Sequence, residues 1–143
     1  MEPILITSSV LLGKEVVSQT VNNTARNLLL SVNDLLENEQ FIFKKILDEY
    51  DLNFKIEIIT NYIHNLSEVQ LKNSGIKTCI KYLENILIKI KQEVDNINKE
   101  ITEHNSLWFN RFRIPCYKQL IINLKNDINI LSERFDILTK IKN

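Results

Sequence analysis

Apolar residues recur through the second half of this chain at spacings that alternate between four and three. One series runs Ile76, Ile80, Leu83, Leu87, Ile90, Val94, Ile97, Ile101; a second runs Tyr117, Ile121, Leu124, Ile128, Leu131, Phe135, Leu138. Side chains repeating every 3.5 positions make one stripe along a helix, and such a stripe has to be covered by another helix. The pattern predicts two long helices, the first over about 75–104, joined by a connection short enough to fold them back as an antiparallel hairpin. Pro115 suits the first turn of the second helix, where its missing N–H costs nothing.

The first half repeats the helical period less regularly. Over residues 8–36, Val17, Val21, Ala25 (or Thr24), Leu28, Val32 and Leu35 share one face, while Asn22, Asn23, Asn27 and Asp34 lie elsewhere. Gly13 costs about 1 kcal/mol against alanine in a helix interior, which favours a start after it. Residues 40–50 carry the period through Ile42, Ile46 and Tyr50, and Asp51-Leu52-Asn53 reads as a break. Phe54, Ile58, Tyr62 and Leu66 then give a second short seam, widened by Ile59 and Ile63. Ser67-Glu68-Val69-Gln70 has the form of a capping box, and Asn73-Ser74-Gly75 is the clearest loop signal in the chain.

Composition narrows this to one fold class. Glycine and proline number only two each, too few for the turns of an all-β or mixed fold. The expected architecture is all-α: an antiparallel, up-and-down four-helix bundle, its second helix broken or doubled, with residues 1–143 as a single domain. At 44% hydrophobic and 25% charged residues, the chain has the composition of a globular protein. Isoleucine and asparagine are both common and both mediocre helix formers, so burial has to hold these helices more than propensity does. An AT-rich genome accounts for that bias without a functional cause.

The formal charge is zero, unevenly spread. Residues 1–40 hold two basic and five acidic side chains, whereas residues 105–143 hold seven basic and three acidic. Nucleic acid is not an expected partner of so balanced a chain. The basic C-terminal end could meet an acidic protein or anionic lipid headgroups, although a modest excess of this kind usually marks a solvated face. No apolar run approaches the roughly 20 residues of a membrane span, and the first residues lack the basic start and cleavage pattern of a signal peptide. A cytoplasmic protein, peripheral at a membrane at most, is the expectation.

Catalytic signatures are missing. There is no GxSxG, P-loop, GxGxxG or HExxH. His104 continues the first series with Glu100 one turn before it, but one helix offers at most two ligands there; His64 lies between Ile63 and Leu66. Both read as helix histidines, not metal ligands. Carboxylate pairs such as Glu93/Asp95 and Glu100/Glu103 read as solvated helix faces. Cys79, beside Ile80, reads as a small buried residue, and Cys79 with Cys116 makes no disulfide framework. No enzyme activity, cofactor, metal or small-molecule substrate is expected.

Between the two series stands Trp108-Phe109-Asn110-Arg111-Phe112-Arg113-Ile114-Pro115. Aromatics interleaved with arginine concentrate in interface hot spots. Trp108 and Phe112, four apart, are expected to pack over the bundle's end. Phe109, Arg111 and Arg113, with Lys118, Lys140 and Lys142, are the candidates for binding a partner or lipid.

A long aliphatic helix, the Trp108-Phe109-Asn110-Arg111-Phe112 turn and a second aliphatic helix resemble the N-terminal four-helix bundle of the mixed-lineage kinase-like pseudokinases, and in outline the HeLo and HeLo-like domains of fungi. The likeness spans about residues 74–138. It implies a bundle that executes regulated cell death by oligomerising and engaging membranes. In that family the membrane-binding residues are basic positions in the first helices; here residues 1–40 offer only Lys14 and Arg26. The expected function is therefore a non-enzymatic protein-interaction or adaptor module, of cell-death type, acting through oligomerisation. The alternatives are a membrane-permeabilising bundle and a viral or pathogen structural or effector protein that mimics one.

Overall fold

Both heptad series turn inward. In the computed structural model, which describes residues 2–37, 41–106 and 117–141 and the side chains of 17–37, 43–104 and 117–141, all eight residues of the first series are buried, Leu83 through Ile101 completely. In the second series Leu124, Ile128, Leu131 and Leu138 are fully covered, with Ile121 and Phe135 packed at the margin. Six helices carry these stripes: α1 (Glu2–Glu37), α2 (Phe41–Glu49), α3 (Leu52–His64), α4 (Glu68–Lys72), α5 (Ser74–Ser106) and α6 (Lys118–Lys140). No strand occurs among the described residues, and the fold is all-α.

Local chemistry sets the breaks. Asp51 adopts a left-handed conformation, φ 48°, between α2 and α3, so the broken second helix is two helices. Ser67 caps α4 with a complete capping box: its Oγ accepts from the Gln70 N–H at 3.1 Å, and its own N–H donates to Gln70 Oε1 at 2.9 Å. Asn73 does the same service for α5, its Oδ1 accepting from the N–H groups of Gly75 and Ile76. Gly75 thus sits in the first turn of α5 and not in a loop.

Two expectations need correction. The first helix does not wait for Gly13; it begins at Glu2 and runs through the glycine. The propensity cost of one glycine is about 1 kcal/mol, too little to end a 36-residue helix. The seam of α3 is also displaced. Leu52, Ile56, Ile59 and Ile63 are buried, whereas Phe54 is 61% and Ile58 41% exposed. Phe54 and Ile58 stand two residues from Ile56, about 200° around the helix, so the two sets cannot face the core together. Burying the Leu52 stripe leaves the other on the surface.

Named pairs fix how the helices run. Along α5 and α6, Gly75 approaches Ile141, Tyr82 receives a hydrogen bond from Arg134, and Lys89 meets Asp127, an order that makes the two antiparallel. Ser18 meets His64 while Asn33, later on α1, borders one cleft with Asn53, earlier on α3, so α3 runs against α1. Tyr62 stacks edge-on against Phe135, which carries the level of Ser18 across α6 to Tyr82 on α5, while Ser31 reaches Asp95. Thirteen residues along α1 therefore match thirteen along α5, and these two helices lie parallel. α1, α3, α5 and α6 alternate in direction along the chain, yet their neighbours are not sequential. α5 packs most extensively on α6 and α1, and α3 completes the circuit by touching α1 and, slightly, α6.

Candidate functional site

Most of the basic, aromatic candidates fall on the connection before α6. Trp108, Phe109, Arg111, Phe112 and Arg113, along with Lys142, Pro115 and Cys116, lie outside the described residues. Lys118 and Lys140 are described and exposed, but they occupy the two ends of α6, about 33 Å apart at 1.5 Å per residue. They do not belong to one patch.

The structure instead places a polar belt around the middle of α5. On the α1 side, Ser31 Oγ donates to Asp95 Oδ1 at 2.6 Å, Lys91 Nζ donates to Asp95 Oδ2 at 2.6 Å, and Asn98 donates to the Ser31 carbonyl at 3.0 Å. Burial raises the Asp95 carboxyl, but the hydrogen bonds from Lys91 and Ser31 and the Lys91 charge outweigh it, and the net shift is downward. Asp95 thus stays ionised and ties α1 to α5.

On the α6 side the chemistry is different. Asp127 is 3% exposed, and Lys89 Nζ pairs with its Oδ1 at 3.3 Å. Its Oδ2 and Glu93 Oε2 are buried without a donor from the rest of the described protein. Two carboxyl groups hydrogen-bond to each other only if one keeps its proton. Burial, the Asp127 carboxyl as hydrogen-bond partner and its negative charge push Glu93 up to about 8, against the pull of Lys89. Glu93 and Asp95 are accordingly not the solvated pair expected from sequence. The overlooked signal was position: Glu93 precedes Val94 and Asp127 precedes Ile128, each one residue off a buried stripe.

The histidines hold no such site. His64 Nδ1 lies 3.0 Å from Ser18 Oγ at the surface, and among the described residues no three His, Cys, Asp or Glu side chains gather to hold a metal. Cys79 is half-buried. Tyr117 closes the α6 start against Phe43, ring centroids 5.3 Å apart; burial, then the nearby Glu100 charge, raises its hydroxyl.

Two of the exposed apolar side chains, Phe54 and Ile58, stand where the circuit is thinnest. Between α3 and α6 lies an open groove of about 290 Å³, floored by Ile59 and bordered by Phe54, Ile58 and Phe135. Lys55 stands on the α3 wall, and Ser132 with Asp136 on the α6 wall. A wider cleft of about 480 Å³ between α1 and α3 is bordered by Arg26, Asn33, Asn53 and Glu57, groups that water satisfies. Of the two, the α3–α6 groove is the surface that burial would favour.

By fold, then, this is an all-α helical protein whose described surface carries an apolar groove between α3 and α6. It is similar to uncharacterized protein L717 of Acanthamoeba polyphaga mimivirus, 38% identical over 74 residues, a stretch that makes up 52% of this chain and 36% of that protein. The match thus spans about a third of the relative's length. No family model matches the chain, and no solved structure gives a significant match, so the likeness to the pseudokinase bundle rests on the sequence motif alone.

Proposed function

We propose that this protein is a non-enzymatic helical interaction module that presents the α3–α6 groove to a protein partner. One observation carries the reading: Phe54 and Ile58 are 61% and 41% exposed beside an apolar groove, although Leu52 and Ile56 on the same helix are completely covered. Aromatic and aliphatic side chains around a groove between helices suit the insertion of another helix. The polar belt holds α5 in one register against α1 and α6 and so sets the position of the α6 wall.

The membrane form of the reading has less behind it. No helix among the described residues is long and apolar enough to cross a membrane, and the cell-death form stands on the aromatic-arginine resemblance. Similarity to a mimivirus protein favours, among interaction modules, a viral structural or effector one.

The test is site-specific cross-linking. A photoreactive residue replacing Phe54 is expected to capture protein on irradiation, while one replacing Thr102, exposed on α5, is not. Equal capture at both positions, or leakage of anionic vesicles with no capture at Phe54, would overturn the reading.

A further inference from the structure

We propose that Glu93 and Asp127 form a proton-operated clasp on α6: with one proton between them they close α6 on α5, and loss of that proton lets α6 part as a unit from a folded core of α1, α3 and α5.

The pair sits in the one seam that holds α6. That helix packs extensively on α5 alone; beyond the seam, Phe135 meets Tyr62 of α3 edge-on and Tyr117 meets Phe43 of α2. α5 has a second hold that does not involve α6, because Asp95 and Asn98 bind Ser31 of α1. α1 in turn packs on α3. With α6 removed, α5 keeps its place on α1 and α1 on α3, the condition for opening one part of a fold without the whole.

Inside the seam the charges do not balance once both carboxyl groups ionise. Asp127 is 3% exposed with its Oδ1 3.3 Å from Lys89 Nζ, and its Oδ2 and Glu93 Oε2 are buried without a donor among the described residues. The charged groups that bear on Glu93 are Asp127 from α6 and Lys89, one turn earlier on α5; from α1, Ser31 engages Asp95. One lysine and one carboxylate are neutral together. A second carboxylate leaves an uncompensated negative charge at the interface, which burial penalises strongly. Parting the helices hydrates both groups and removes the penalty. Glu93 is half-buried, so solvent water can take up its proton.

Closed, Glu93 keeps the proton up to about 8; hydrated, it returns to its ordinary value of 4.5. The clasp is therefore at full strength below about pH 4.5, weakens as the pH rises, and is gone above about 8. Ser132, Phe135 and Asp136 make the α6 wall of the groove, so parting takes that surface apart. The clasp itself stands whether or not the groove receives a partner.

Native-state hydrogen exchange of the whole chain tests this at about pH 5 and about pH 8, each rate divided by the intrinsic rate at that pH. Buried α6 amides, at Leu124, Ile128 and Leu131, are expected to share one protection factor that is lower than at Leu28 and Val32 of α1. That α6 factor should fall about fivefold from the acidic to the alkaline condition. In Glu93→Gln, whose amide is a permanent donor to Asp127, the two conditions should agree; if that variant fails to fold, Asp127→Asn, which leaves Glu93 ionised beside Lys89, reads the same seam. Protection in α6 equal to that in α1 would mean that only the whole molecule opens, and would overturn the inference. So would a parent factor that ignores pH, or a fall that persists in the variant.

Discussion

Glu93 on α5 and Asp127 on α6 turn their carboxyl groups toward each other inside the helix interface, where Lys89 forms its ion pair with Asp127. One negative charge there is matched by the lysine; a second is not. The pair therefore behaves as a place where the fold keeps a proton near neutral pH, at the seam that joins its two longest-paired helices.

That proton gives stability a pH dependence. Folded, Glu93 holds it up to about pH 8; unfolded, the carboxyl returns to its ordinary value near 4.5. Between those limits the folded form binds the extra proton, so stability is full below about 4.5, falls as the pH rises and has lost this contribution above about 8. Glu93→Gln keeps the shape and offers Asp127 a permanent donor. It should flatten the profile and, near pH 9, exceed the parent by about 1 kcal/mol, a small gain because the half-open site lets water screen the pair. Urea titrations at acidic, neutral and alkaline pH check this; an unchanged slope in the variant would place the titration elsewhere.

Ser31 acts at the opposite side of α5. Its hydroxyl is nearly buried and donates to an ionised carboxylate at 2.6 Å. Ser31→Ala should cost about 1–2 kcal/mol, visible as a lower urea midpoint with an unchanged m-value. An effect within experimental error would mean that Lys91 alone satisfies Asp95.

The register of α3 can be checked by two neighbours. Ile56→Ala removes a completely buried side chain and should cost about 2–5 kcal/mol. Phe54→Ala, two residues away but exposed, should shift monomer stability by about 0.5 kcal/mol or less. Comparable losses at both positions would show that α3 is rotated from the arrangement described.

Asp51 offers a backbone test. It is exposed and makes no capping hydrogen bond with its side chain, yet it holds φ at 48°. Asp51→Val should therefore destabilise by about 1–2 kcal/mol through strain at a left-handed position, although no contact is lost. Thermal unfolding reads the shift, and a neutral outcome would mean that the α2–α3 turn can relax.

Periodicity made the long elements legible because one stripe per helix, apolar at alternate steps of four and three, has only one way to be covered. That is why all of Ile76 to Ile101 lies inside, and why Ser67–Gln70 and Asn73 mark real caps. α3 carries two apolar stripes, and periodicity cannot say which faces the core; the one left outside, Phe54 and Ile58, borders the groove. Neighbour order was invisible for a similar reason. A heptad tells each helix to pack but not on whom, and the pairing of α1 with α5 depends on Ser31 and Asp95, ordinary polar residues in a linear reading. The carboxyl pair was hidden because Glu93 and Asp127 are charged letters whose burial arises only when two distant helices meet. Of the basic and aromatic candidates, Lys118 and Lys140 show the limit of reading by composition: closeness in charge is not closeness in space.

The non-sequential order of the helices has a consequence for how the chain can be divided. α1 with α3, and α5 with α6, are each a hairpin of helices close in sequence. The two hairpins are joined in the chain only through the short stretch from Asn65 to Asn73 that carries α4. A cut between Asn65 and Leu66 would separate them into two fragments whose mutual surface is chiefly the parallel α1–α5 seam. Reassembly of those halves would then be indexed by Ser31 finding Asp95, a polar latch that rejects a slipped alignment which the apolar stripes by themselves would tolerate.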